Sequence, residues 1–599
     1  MHKSGIKELS LPFPKLLGML CLVISISSLV VFPRLLSLEF HWLGDETLWL
    51  VRSHNFIQSL QDGNLKEIPV LSHPGVTTMW LGGTSLWLRH KGNFAAAINL
   101  ETKSLLSPNT LAATRTGVAL TITVAILSAW YLLFRLLGWW TSAFAILFIS
   151  IDPFYLALSR ILHTDALAAS FTLLAVLSLL VYLEQSQRSS YVIFSGICFG
   201  LACLSKITAL VLVLYLPLLL GFYKIFNVKR HGNKPNFSIL HLCLAWLGAA
   251  FLTSICLWPS LWTLFADKSL LPFFGVLLLL GITYWSYEHI QIPAGERIRQ
   301  PQHLTISLLM IAILGAGVWK VGQPHIYGIY ETITTPHEVA ILHLGKIVYD
   351  PGLSFYLLIL SLRSLPFTHP LFILGLTWFV CHRERSEDPV RRIFFALLIL
   401  LPIFIVPISF AEKKISRYVL PVCPYIDILA AIGFSILLKQ FINQKEYVSL
   451  KEFVAYALKR PLAFVSGLFI FILATFFQII SLLALHPYYI AYYNPIWRVA
   501  DVPKLFAIGG EVGADQAGLY LSRKPNAEQL IVSASPAAAP VIRFYFPGRV
   551  IQLFESALYP DYEVVHLYDV QIRRDNHDIK RRLEYVVHIN GIDFAWIYK

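Results

Sequence analysis

Long apolar runs separated by short polar connections dominate the chain, and a run of about 20 residues is long enough to cross a bilayer as a helix. Such runs fall at 14–33, 111–137, 140–158, 163–183, 191–205, 207–223, 239–261, 268–287, 304–321, 366–381, 392–411, 418–438 and 461–485. They predict about thirteen transmembrane helices. The 191–205 and 207–223 runs also read as one long broken helix, and 353–365 as part of the run after it. No small-residue cleavage site follows the first run, so it reads as an anchor rather than a signal peptide.

Two polar segments have structure of their own. In the first connection, 34–110, the stretch after Asp45 puts Trp49, Leu50, Phe56, Ile57 and Leu60 close to one helical face. Arg52, His54, Gln58 and Gln61 supply the polar side, a pattern suited to a helix lying in the interface plane. SHPGVTTMWLGG, from Ser72 to Gly83, reads as a tight turn entering a second such helix. The tail, 486–599, has strand-like runs in EQLIVSAS, YEVVHLY and DFAWIYK, with candidate helices at 513–523 and 576–583. It predicts a small α/β domain after a membrane domain spanning 1–485.

Composition agrees with a membrane protein. Hydrophobic residues make up 56% and charged residues 14% of the 599, against about 25% charged in a soluble domain. The net charge of +13 reads as an orienting excess of cations rather than a nucleic-acid footprint, because no basic face or aromatic reading platform accompanies it. Lys3, Lys7 and Lys15 precede the first run; Lys224, Lys229, Arg230 and Lys234 follow the sixth. Arg383, Arg385, Arg391 and Arg392 follow the tenth, and Lys439, Lys445, Lys451, Lys459 and Arg460 the twelfth. With thirteen spans these segments share the cytoplasmic side with the N-terminus, and 34–110, 322–352 and 486–599 lie outside. The seven cysteines all lie in or beside apolar runs and offer neither a disulfide framework nor a zinc ribbon. No GxGxxG or P-loop motif points to a nucleotide.

The candidate chemistry gathers on the external side. Asp45 and Glu46 stand beside the membrane, where ionised groups are costly and therefore suggestive; a helix starting there would keep carboxylates ionised, or Asp45 would merely cap it. His73 reads as substrate-binding or as a hydrogen-bonded structural residue. Arg160, His163 and Asp165 open an apolar helix, with Arg160 and His163 read as acceptor- or substrate-binding and Asp165 as either its cap or a second carboxylate facing Asp45. Lys206 interrupts an apolar run, and Lys413, Lys414 and Arg417 sit in an external loop against the charge rule. Cations so placed suit a lipid-linked phosphate. Carboxylates with cations at a membrane edge fit transfer of a sugar from a polyprenyl phosphate to a hydroxyl: a carboxylate takes the proton and the cations stabilise the departing phosphate. No metal site is assigned, since His163 and Asp165 alone do not make one.

The ordered set GDE (44–46), HPG (73–75), SRILHTDALAASF (159–171), GLACLSKITAL (200–210), WPSLW (258–262), LGKIVYDPGLSFY (344–356), SRYVLPVCPYIDILAA (416–431), YYNP (492–495) and GGEVGADQAGLYL (509–521) resembles the GT-C membrane glycosyltransferases. Within them it is similar to the protein O-mannosyltransferase and aminoarabinose-transferase-like superfamily. The resemblance implies a dolichol- or undecaprenyl-type phosphosugar donor and an external catalytic site. It implies Asp45 as the first-loop catalytic acidic residue, Glu46 as its pair, Asp165 as the second acidic position, and Lys206 and Arg417 near the donor phosphate. The chain departs from the family in an apparent extra helix pair at 263–321 and in HPG where many relatives carry two prolines.

The expectation is thus an all-α polytopic GT-C protein of the plasma membrane with a small extracytoplasmic α/β tail. It would act as an inverting glycosyltransferase, mannosyltransferase-like, with a lipid, glycan or protein acceptor. A lipid-linked saccharide transporter or flippase is the alternative, and an inert glycan-binding protein a third reading; a transporter calls for polar residues at mid-bilayer depth on both sides of a cavity.

Overall fold

The structure, a computed structural model, describes residues 13–65, 68, 74–91, 107–185, 188–227, 239–266, 330, 340–382, 388–442, 462–508, 510–536, 538–552, 559–573 and 581–599. Among the described residues, eleven α-helices precede the first strands: α1 (Phe13–Leu35), α2 (Gly44–Gln61), α3 (Val76–Arg89), α4 (Pro108–Leu137), α5 (Trp139–Ile151), α6 (Pro153–Leu158), α7 (Asp165–Glu184), α8 (Ser189–Ser205), α9 (Val211–Asn227), α10 (Ile239–Leu257) and α11 (Pro259–Ala266). A two-stranded hairpin, β1 (Ile341–His343) and β2 (Lys346–Val348), leads to α12 (Phe355–Arg363), α13 (Thr368–Cys381), α14 (Pro389–Phe410), α15 (Cys423–Ile442) and α16 (Leu462–Leu485).

Six of the described helical stretches are long and apolar enough to span a membrane: Leu17–Leu35, Pro108–Leu137, Asp165–Glu184, Ile207–Ile225, Pro389–Phe410 and Ser416–Lys439. The protein is an integral membrane protein; among the described residues four further apolar helices, Trp139–Ile151, Ser189–Ser205, Leu242–Leu257 and Phe469–Leu485, are shorter than a full span. Sequence periodicity cannot see where a helix breaks. The run at 140–158 splits because Asp152 caps a new turn, accepting the Tyr155 amide at 2.7 Å, with Pro153 opening α6. The segments α12 and α13 meet at a bend of 111° rather than continuing as one rod. The runs at 268–287 and 304–321, and with them most of the apparent extra helix pair, lie outside the described residues.

The interior of the bundle is α7 and the Ser416–Lys439 stretch, whose spans are 94% and 100% buried, against 17% for α1 at the periphery. Exposed apolar side chains on α1, α9 and α16, such as Ile24, Leu214 and Phe469, belong to a lipid-facing exterior. Both ends of α7 are tied by charge. Glu184 at its end accepts Arg392 Nε at 2.8 Å and the Tyr223 hydroxyl at 2.6 Å, while Asp165 at its start pairs with Lys206.

After α16 come α17 (Val502–Leu505), α18 (Ala514–Ser522), β3 (Ile531–Ala534), α19 (Ala539–Tyr545), β4 (Arg549–Gln552), β5 (Tyr562–His566), α20 (Leu567–Arg573), β6 (Leu583–Ile589) and β7 (Ile592–Tyr598). The five strands form a mixed sheet in the order β4-β3-β5-β7-β6. Strand β3 runs parallel to β4 and β5, and β7 antiparallel to β5 and β6. The β6–β7 turn places Asn590 at φ 54° and Gly591 at φ 75°, the left-handed pair that a two-residue hairpin favours. Residue Leu583, expected at the end of a helix, starts β6; residues 574–580 lie outside the described ones.

This C-terminal layer grips the chain just ahead of α2. Asp515 Oδ2 accepts the His41 amide at 2.9 Å and the Tyr488 hydroxyl at 2.7 Å. The Tyr545 hydroxyl donates to the Glu39 carbonyl at 2.7 Å, and the Trp42 and Phe544 rings lie 3.8 Å apart.

Candidate active site

Helix α2 begins with its capping done by Glu46 and not by Asp45. The Glu46 carboxylate reaches back to the Leu43 amide at 3.0 Å, as the third residue of a capping box does. Its other partners are Arg115, through Nε at 2.8 Å and Nη2, and the Leu162 amide at 2.7 Å. Expected as half of a reactive pair, Glu46 is instead fully buried with both oxygens engaged. Its carboxylate ties the start of α2 to α4 and to the chain before α7.

The sequence pattern does not single out Arg115, although an arginine near the start of the apolar run at 111–137 is a signal for it. Beyond Glu46 it donates to the carbonyls of Leu38 (2.7 Å), Phe40 (2.6 Å) and His41 (2.6 Å). Arg160 acts similarly one turn earlier in the connection, donating to the carbonyls of Pro33, Leu36 and Ser37 and lying beside His486. Expected to touch substrate, Arg160 is buried and spent on backbone. Together these two arginines satisfy carbonyls that a buried connection would otherwise leave unpaired.

With its neighbour fixed, Asp45 is free to face the site, and its side chain stays 48% exposed. Arg417, from the 3-10 turn Ser416–Val422, donates through Nη2 to Asp45 Oδ2, and its Nε lies 3.4 Å from Asp165 Oδ2. His163 also bridges the two carboxylates, with Nε2 3.7 Å from Asp45 and Nδ1 2.7 Å from Asp165. The Trp49 ring meets His163 edge-on at 6.0 Å. The nearby imidazole and then the Arg417 guanidinium hold the Asp45 carboxyl well below the usual carboxylate range, overcoming the opposite pull of burial.

Asp165 is not a cap: Thr164 precedes the helix, and the Asp165 carboxylate turns to Lys206, His163 and Arg417. Lys206 Nζ pairs with Asp165 Oδ1 and sits 4.0 Å from the centre of the Tyr418 ring. Expected at an outer surface, Lys206 is only 3% exposed. The HPG turn lies directly against this pair, since the Gly75 amide donates to the Ser205 carbonyl at 3.3 Å and the Thr77 and Ser205 hydroxyls meet at 2.7 Å. Gly75 adopts φ 57°, and a Cβ there would run into the Trp49 ring, so the turn admits only glycine without strain. His73 lies outside the described residues.

The other two loop cations do not join the cluster. Lys414 pairs with Asp350 at 2.7 Å and donates to the Ala411 carbonyl at 2.8 Å. Lys413 forms no ion pair with a carboxylate among the described residues. Nor do the described residues contain a group of three His, Cys, Asp or Glu side chains arranged to hold a metal ion.

Two carboxylates, a bridging imidazole, a lysine and a forked arginine thus share one partly open site built from separated stretches of chain. Three of those groups, His163, Asp165 and Lys206, fall in the segment that also carries a family signature. Residues 96–263 match the dolichyl-phosphate-mannose-protein mannosyltransferase family. The matched segment also contains Arg115 and Arg160, whereas Asp45, Glu46 and Arg417 lie outside it. The chain's resemblance to GT-C membrane glycosyltransferases rests on this match as well as on the ordered motifs.

Among solved structures, the chain is similar to the archaeal oligosaccharyltransferase AglB of Archaeoglobus fulgidus in complex with an inhibitory peptide and a dolichol-phosphate. The identity is 12% over 94% of this chain and 72% of that one, with a TM-score of 0.45. It is also similar to ArnT of Cupriavidus metallidurans bound to undecaprenyl phosphate, at 12% identity over 98% of each chain and a TM-score of 0.43. Neither likeness assigns a substrate to this chain. No curated protein matches it.

Proposed function

We propose that the protein is an inverting glycosyltransferase that moves a sugar from a polyprenyl-phosphate donor to an acceptor hydroxyl on the extracytoplasmic face of the plasma membrane. The observation that carries this reading is the Asp45–Arg417–Asp165 chain, an exposed carboxylate paired to a guanidinium that a buried carboxylate holds from behind. At rest the charges of Asp45, Asp165, Lys206 and Arg417 balance. A donor phosphodiester brings one further negative charge, and the Arg417 fork is suited to its oxygens. Drawing Arg417 towards the phosphate releases Asp45 to act.

The acceptor oxygen then attacks the anomeric carbon as the carbon–oxygen bond to phosphate breaks, and that electron pair leaves on the polyprenyl phosphate. Asp45 receives the hydroxyl proton, while Arg417 stabilises the charge that builds on the phosphate. Asp165, anchored by Lys206 beside it, orients Arg417 and His163. The membrane domain at 1–485 would supply this chemistry and the tail at 486–599 would cover it from outside, with the N-terminus cytoplasmic.

Asp45→Asn in the full-length protein tests the reading. Sugar transfer in membranes, followed by mass spectrometry of glycolipids and glycoproteins from deletion and complemented cells, should fall by about 10²–10⁴-fold. Polyprenyl phosphate binding should persist. Transfer at the normal rate by this variant would remove Asp45 from the role of base.

A further inference from the structure

A third carboxyl stands beside this site, brought from the far end of the chain. Glu511 lies in the loop before α18, between Gly510 at φ 49° and Gly513 at φ 85°. The next residue anchors the loop, the Val512 carbonyl meeting His566 Nε2 at 2.9 Å. This loop aims the Glu511 side chain at the first residue of α2: its Oε1 lies 2.9 Å from where a Cβ on Gly44 would stand. Gly44 is therefore the residue that makes room for Glu511, and its amide hydrogen-bonds the carboxyl. Asp45 is the next residue in the chain.

The surroundings of Glu511 favour a proton. No described lysine, arginine or histidine forms an ion pair with it. The groups facing it are Asp45 from α2, Arg417 from the 3-10 turn, and Tyr568 from the sheet layer. Burial first, and then the negative charge of Asp45, push its carboxyl up to about 7. Asp45 is the opposite case, held ionised by His163 and Arg417. A proton delivered to Asp45 is thus on a strong acid, with a better proton holder beside the preceding residue.

We propose that Glu511 takes over the proton that Asp45 removes from the acceptor hydroxyl, so that α2 and the C-terminal segment together form a two-carboxyl proton path. The inference rests on the transferase reading above. The O–H bond on Asp45 breaks as one forms on Glu511, which returns Asp45 to its ionised state. Glu511, only partly buried, then loses the proton to solvent.

The test compares full-length wild type, E511Q and D45N in lipid nanodiscs. Glutamine keeps an oxygen for the Gly44 amide, so a merely structural role would survive the change. The wild-type-minus-E511Q infrared difference across a pH titration should contain a protonated-carboxyl band that disappears near pH 7. That difference band should move to lower pH when the comparison is repeated in the D45N background. Transfer measured in complemented membranes should fall at least tenfold in E511Q and lose its rise through neutral pH, with C55 polyprenyl phosphate binding unchanged. The absence of any such difference band, or wild-type transfer with the wild-type pH profile in E511Q, overturns the proposal. Complemented wild-type membranes that form no product absent from the deletion strain would overturn the transferase reading instead.

Discussion

Replacing Arg115 with methionine takes away the clamp that presents Asp45 without touching Asp45. Arg115 is 1% exposed and spends its guanidinium on Glu46 and on three carbonyls of the connection before α2. Methionine fills similar volume and donates nothing. Glu46, fully buried, is then left as a charge held only by the Leu43 and Leu162 amides. Removing one partner of a buried pair costs about 3–5 kcal/mol. The E46Q change destabilises on its own as well, because it leaves buried Arg115 without a counter-charge and turns an amide nitrogen towards groups that donate. In R115M/E46Q the stranded charge is gone, and the double variant should recover about 1–3 kcal/mol relative to the sum of the two singles. Chemical unfolding in nanodiscs, followed by tryptophan fluorescence, reads this directly because Trp42 and Trp49 flank the clamped turn. R115M within about 0.5 kcal/mol of wild type would refute the clamp, since that is the scale of an ordinary surface change. Strict additivity in the double variant would refute the pairing.

Two more substitutions probe other parts of the site. Arg417→Lys replaces a fork that reaches two carboxylates with a single point charge; polyprenyl phosphate should bind at least about tenfold more weakly by direct titration, roughly 1.4 kcal/mol. Gly75→Ala forces a side chain into a left-handed position against Trp49 and should destabilise the protein by about 1–2 kcal/mol or more, measured by the same unfolding assay.

How much of this could be read from the sequence differs between its layers. The apolar runs revealed a helical membrane protein because the bilayer demands long uninterrupted hydrophobicity. They could not count the spans, because Asp152 and Pro153 end a helix inside a run that stays apolar on both sides. In the tail, the runs around β3, β5 and β7 were visible, while β6 was hidden by the mixed charge of RRLEYVVHI. At the site, unusual position singled out Asp45, Asp165, Lys206 and Arg417, but it equally singled out Glu46, Arg160 and Lys414. A charge in an apolar setting must have a partner; its position alone does not say whether that partner is substrate or backbone.

The sequence by itself determined the class of molecule, the short motifs and the kinds of charged groups available, since these depend on local composition and order. Only the tertiary structure decided which carboxylate faces outward. Glu46 turns inward to Arg115, 69 residues away in sequence, and Asp45 outward to Arg417, 372 residues away. Two adjacent carboxylates take opposite roles because helix geometry points neighbouring side chains in different directions, and long-range packing determines what each one meets. Glu511 makes the same point: its place beside Gly44 exists only because the C-terminal sheet layer folds back onto the start of α2.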